Sequence, residues 1–138
     1  MLQSFPLLAL SLVSYALLNR PHRPGSRPWY ETRACNIELM SNDVWAVSYG
    51  EVFLLLSMLL LAVELVRATR NDVKSIANHG FSAVVFVAAM ILFVAQPGYG
   101  NATFCIYTSM TLLDFTAGFI ITAVTARRGM MWQRTSYP

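Results

Sequence analysis

The chain has 138 residues, with Lys+Arg 10, Asp+Glu 7 and a formal net charge of +3; 56% of it is hydrophobic and 12% charged, about half the roughly 25% charge of an ordinary soluble domain. One domain's length, a mean hydropathy of +0.50 and basic residues confined to short clusters beside apolar runs argue against nucleic-acid binding. They argue for a single integral membrane domain whose Lys and Arg act as topology determinants. Cys35 and Cys105 form no Cys-x-x-Cys pair and have no His/Asp cluster nearby, so neither a zinc site nor a disulfide-rich scaffold is expected, and no motif implies a cofactor.

The first apolar segment, residues 2–18, is uncharged and carries Pro6 in its first turn, where the missing N–H costs little. It is read as a retained transmembrane helix at the short end of what spans a bilayer, because no Lys or Arg precedes it. A cleaved signal peptide, with Ser14-Tyr15-Ala16 as the small-x-small site, is the competing reading. The Pro- and Arg-rich stretch 19–33 reads as a loop, with Trp29 and Tyr30 suited to a headgroup layer. In residues 35–48, Ile37 and Leu39 alternate with polar neighbours, Ser41-Asn42-Asp43 is a turn signal, and Val44, Ala46 and Ser48 alternate with Trp45 and Val47. This reads as a short β-hairpin over the outer mouth of the bundle, with an irregular extended lead-in as the alternative.

A second span is expected over about 47–66. Glu51 and Glu64 lie near its ends, roughly 20 Å apart on a helix. Glu51 is read as a solvated or helix-N-terminal acid, favoured there by the dipole. Glu64 is read as paired with Arg67 at the cytoplasmic interface; a bundle contact is the alternative, since Gly50, Ser57 and Glu64 recur at seven-residue intervals. A polar connector runs to His79, which has no second His or Cys at metal-ligand spacing; no metal site is expected. The third span, 81–95, is apolar all round. The turn QPGYGN makes it an antiparallel hairpin with a fourth span over about 102–125, followed by a tail without a structure signal. Asn101-Ala102-Thr103 matches a glycosylation sequon and is read as incidental.

From Gly80 to Ala126 the only formal charge is Asp114. An ionisable group inside a span is costly, so it is a functional-site hypothesis by default. At helical spacing it shares a stripe with Tyr107, Thr111, Gly118, Thr122 and Thr125, while Ile106, Leu113, Ile120 and Val124 take the opposite face. Gly118, Thr122 and Ala126 form a small-xxx-small row for close helix packing; the favoured reading makes Asp114 a neutral acid hydrogen-bonded to a neighbouring helix in that packing, with proton or ion handling and docking to a partner subunit as the alternatives. Counting from the ends of each span puts Ser11, Ser57 and Asp114 at one depth, so a serine hydroxyl is expected to partner the acid.

With four spans the two termini share a side. Arg67, Arg70, Lys74, Arg127, Arg128 and Arg134 fall there, against Arg20, Arg23, Arg27 and Arg33 on the other, which places both termini in the cytoplasm. The stretches SYGEVFLLLSMLLLAVELVRATR, SIANHGFSAVVFVAAMILF and PGYGNATFCIYTSMTLLDFTAGFIITAVTARR resemble a group of small four-helix bacterial membrane proteins without an assigned activity. ELVRATR and LLDFTAGFIIT carry the likeness most specifically, through Glu64, Arg67, Thr69, Asp114 and Gly118. The resemblance implies the four-helix layout and a bacterial inner membrane, and nothing about chemistry.

The expected fold is therefore an all-α, four-transmembrane-helix bundle. The expected role is an accessory or structural component that meets the lipid bilayer and other membrane subunits or further copies of itself. A small proton-coupled transporter or channel subunit using Asp114 is the runner-up, and a membrane enzyme the third reading.

Overall fold

The computed structural model describes residues 7–19, 27–68 and 75–135, the side chains of 68, 75–79, 122 and 125–135 excepted. Among them are four helices, α1 (Leu7–Leu18), α2 (Tyr49–Ala68), α3 (Ser75–Ala95) and α4 (Ala102–Thr135), and one antiparallel pair of strands, β1 (Arg33–Glu38) and β2 (Val44–Ser48). The hairpin reading of residues 35–48 is thus correct.

Each boundary has a local cause. In the hairpin, Leu39 N–H donates to Asp43 O at 2.9 Å and Asn42 N–H to Leu39 O at 3.0 Å. Asn42 takes a φ of 63°, a left-handed conformation that asparagine tolerates and that closes a three-residue loop. Strand β2 passes directly into α2 through a capping box. Ser48 N–H donates to Glu51 Oε2 at 2.7 Å, and Glu51 N–H donates to Ser48 Oγ at 3.3 Å, so two orphan donors of the helix start are satisfied reciprocally. Glu51, expected as a solvated or helix-N-terminal acid, is thus a helix-N-terminal one and caps α2. Between α3 and α4, Pro97 and Gly98 occupy the central positions of a turn in which Gly98 has a φ of 88°, a value that favours glycine. Asn101 then caps α4: its Oδ1 accepts the Phe104 N–H at 2.9 Å, while its Nδ2 donates to the Tyr15 hydroxyl at 2.9 Å. The sequon asparagine is thus occupied by folding contacts.

Two helices run further than the apolar pattern suggests. Helix α3 starts at Ser75 and α4 continues to Thr135. Charge ends an apolar run but not a helix, and no proline interrupts residues 98–137.

Inward positions recur at three- and four-residue spacing, the pattern of antiparallel bundles. They are Leu8, Ser11 and Tyr15 on α1; Gly50, Phe53, Ser57, Leu61 and Glu64 on α2; Ser82, Val85 and Ala89 on α3; and Phe104, Tyr107, Thr111, Asp114 and Gly118 on α4. Helix α1 packs on α2 and α3, and α4 packs on the same two. Near the hairpin end the interior is aromatic. The Tyr15 ring meets Phe104 at 4.7 Å, Trp29 at 5.1 Å and Phe53 at 5.3 Å, with Tyr99 on Phe104 at 4.9 Å. Edge and tilted pairs of this kind add about 0.5–1.5 kcal/mol each beyond their buried area. At that end α2 approaches the Trp29–Glu31 3-10 turn closely; a Cβ on Gly50 would lie 2.8 Å from Tyr30 O and 3.0 Å from Thr103 Oγ1.

Candidate functional site: a buried polar seam

Below the aromatic cluster the interior turns polar. Side chains from three helices meet there, and α1 is tied in through its own backbone. The Tyr107 hydroxyl donates to Leu8 O at 2.7 Å. Ser11 Oγ donates to the same carbonyl at 2.8 Å and lies 3.4 Å from the Tyr107 hydroxyl. The Leu8 N–H, at the start of α1, donates to Glu64 Oε2 at 3.4 Å. A helix start presents N–H groups with no intrahelical acceptor, so a carboxylate is a fitting partner there. On α4, Thr108 Oγ1 donates to Phe104 O at 2.9 Å and Thr111 Oγ1 to Thr108 O at 2.7 Å, which lets hydroxyls sit inside without orphan donors.

Two acids on these helices are inside: Glu64 is 4% accessible and Asp114 6%. The Tyr107 hydroxyl, which joins α4 to the Leu8 carbonyl and lies beside Ser11, is the hub of the seam. Glu64, expected beside Arg67 at an interface, is instead buried with Oε2 toward α1, whereas Arg67 is exposed. The seven-residue recurrence of Gly50, Ser57 and Glu64 carried the correct placement, because all three are buried.

The serines expected to partner Asp114 are engaged otherwise. Ser11 bonds Leu8 O and Tyr107. Ser57 Oγ, in a residue 1% accessible, is a buried polar atom with no hydrogen-bond partner among the described residues. Equal depth puts groups on one level, but helix rotation decides which of them face each other. Thr111 and Gly118 are buried on the Asp114 face; the side chains of Thr122 and Ala126, like those of Thr125 and His79, lie outside the described residues, as does Thr69. Sequence reasoning gave Tyr107 only a place on the stripe and missed its hub position. The available signal was a tyrosine seven residues before a buried acid, a hydroxyl able to reach a neighbouring backbone.

Among the described residues no group of three or more His, Cys, Asp or Glu is placed to hold a metal ion. A small cleft of about 110 Å³ between α3 and α4 is lined mainly by Phe86, Met90, Phe93, Thr108 and Leu112. Another concavity, of about 400 Å³, lies between Tyr30 and the 96–100 turn. Neither is lined by a seam carboxylate. No known protein family, curated protein or solved structure matches this chain.

Proposed function

We propose that the chain is a multi-pass integral protein of a bacterial inner membrane, four helices with both termini cytoplasmic, acting as an accessory or structural component of a membrane assembly rather than as an enzyme. The observation that carries this reading is the reversed distribution of side chains. Leu10, Leu17, Leu56, Leu59, Val84, Val94, Leu113 and Phe119 are exposed, while Ser11, Ser57, Glu64, Ser82, Thr108, Thr111 and Asp114 are buried. In water such a continuous apolar exterior far exceeds the patches monomeric proteins tolerate; in lipid it is the expected surface, with polar groups turned to the bundle interior.

Among the described residues, two helices are long and apolar enough to cross a membrane, Tyr49–Arg67 with mean hydropathy 2.0 and Ala102–Ile121 with 1.5. In the proposal α1 and the apolar part of α3, Gly80–Ala95, cross beside them. These are shorter, a mismatch that local bilayer thinning accommodates at modest cost. The structural role is favoured over conduction by the aromatic rings filling the hairpin half of the interior, which stand where a solute would pass. The apolar exterior is then the surface offered to lipid and to neighbouring subunits.

Alkaline carbonate washing followed by native electrophoresis in a mild detergent tests both parts. The chain is expected to stay with the membrane and then to migrate in a complex larger than one 15.4 kDa copy. Release by carbonate overturns the membrane reading. Migration as a single copy in every mild detergent overturns the assembly reading.

A further inference from the structure

The polar seam holds more chemistry than packing of four helices needs. We propose that it is a proton-binding site, in which Glu64 takes up and releases one proton from the side where α2 ends, beside a seam whose buried hydroxyls include Ser57 and Tyr107. The inference rests on the membrane reading above.

Three observations converge on the site. First, Glu64 is buried at the α1–α2–α4 junction, yet it lies one turn from exposed Arg67, so the path from its carboxyl to the aqueous edge of the bundle is short. An ionisable group in such a position marks proton or ion pathways by default. Second, the Ser57 hydroxyl is fully buried with no partner among the described residues. It occupies the α2 face between Phe53, whose ring meets Tyr107 at 5.6 Å, and Glu64, whose Oε2 meets Leu8. It is therefore aimed into the same seam, and an unsatisfied buried hydroxyl calls for a specific account. Third, the site is closed at its other end. Tyr15, Phe53, Phe104 and Tyr107 fill the interior toward the hairpin, with ring centroids 4.7–5.7 Å apart. The proton therefore enters and leaves by one side, and the seam is a one-sided site rather than a channel.

Among the described residues, the Leu8 N–H of α1 bonds Glu64, and from α4 Tyr107 and Asp114 are the titratable groups of the seam. Residues 80–95 of α3 contain no titratable side chain; the side chains of Arg70, Lys74 and His79, between α2 and that stretch, lie outside the described residues, and Arg67, on α2 itself, is exposed. The chemical step is the addition of one proton from water to the carboxylate, giving the carboxylic acid; its release reverses the step. On protonation Oε2 loses charge and with it the stronger form of its bond to the α1 N–H, so occupancy of the site loosens or tightens α1.

Infrared pH titration of the full-length chain in lipid vesicles tests this. A protonated-carboxyl band is expected that titrates reversibly, disappears in Glu64→Gln, and persists at a displaced frequency in Asp114→Asn. Ser57→Ala, which removes the hydroxyl on the closed side of Glu64, should keep the band and its hydrogen–deuterium exchange rate; exchange slowed in this variant overturns entry from the α2 end alone. ¹³C-glutamate labelling of the unmutated chain separates glutamate from aspartate without a variant: the band must shift, and a band that stays in place overturns Glu64 as the proton carrier. Loss of the band on adding sodium at constant pH overturns the proton in favour of a metal cation. Carbonate resistance of the same preparation reports on the membrane reading separately, so a failure of one is not mistaken for a failure of the other.

Discussion

Tyr107 carries the junction at the scale of single residues. Its hydroxyl and that of Ser11 share the Leu8 carbonyl, but only Tyr107 bridges two helices to do so. Tyr107→Phe removes the interhelical bond while keeping the ring on Phe53 and Phe104. It should destabilise the bundle by about 0.6 kcal/mol, the average for interhelical side-chain bonds in membranes, and by no more than about 1.7 kcal/mol, the largest of them. Ser11→Ala leaves the 2.7 Å bond intact and should cost less. Reversible unfolding in detergent with both variants side by side checks the order, and an equal effect refutes it. Gly50 acts through what it lacks. Its missing Cβ leaves room for Tyr30 O and Thr103 Oγ1, and a backbone oxygen cannot move aside cheaply. Gly50→Ala should cost about 1–3 kcal/mol, the range for overpacking, read as a lower thermal midpoint.

The hairpin and α2 behave as one element, because the Ser48–Glu51 box joins strand and helix without a linker. The rest of the hairpin stands away from the bundle. Val47 is buried, while Ile37, Leu39, Met40, Val44 and Trp45 are exposed, so the cover over the bundle expected from alternation is limited to the hairpin's base. Two short strands have too little face of their own to be stable alone, and the Asn42 turn sets their register. Asn42→Val places a β-branched residue at a φ of 63°, a cost of about 1–2 kcal/mol. Amide exchange over Cys35–Glu38 should then speed up by about tenfold, whereas Asn42→Gly should leave it near the parent rate. Exchange unchanged in Asn42→Val would mean that the turn does not hold the strands.

For the whole molecule, the contacts put the α1 end, the α2 start and the 96–101 turn together: Asn19 Nδ2 donates to Gly98 O at 3.3 Å and Tyr15 receives Asn101. The helices therefore alternate in direction, and the hairpin shares one end with the α3–α4 turn. With the membrane reading, the proposed orientation puts this end outside. Alkaline phosphatase fused after Gly98 should be active and fused after Ser75 inactive; the reverse pattern inverts the topology. Cys35 is exposed on β1, so a membrane-impermeant maleimide should label it in intact spheroplasts, and labelling only after lysis would contradict the same orientation.

Much of this was legible in the order of residues. The four helices, the turn at Pro97-Gly98, the hairpin, and the inward stripe through Tyr107, Thr111, Asp114 and Gly118 all follow from short-range periodicity and from φ preferences, which act within a few residues of chain. Helix ends were less legible, because α3 and α4 continue past the apolar runs that announced them. Only the tertiary structure decided the partners. Glu64 turned from Arg67 toward α1, Ser11 went to Leu8 and Tyr107 rather than to Asp114, and Ser57 was left without a partner among the described residues. Spacing along one helix states which residues share a face, but not how that helix is rotated and offset against its neighbours. That choice is made collectively, by the packing of Tyr15, Phe53, Phe104 and Tyr107, rings distant in sequence whose fit sets the relation of α1 to α2 and α4.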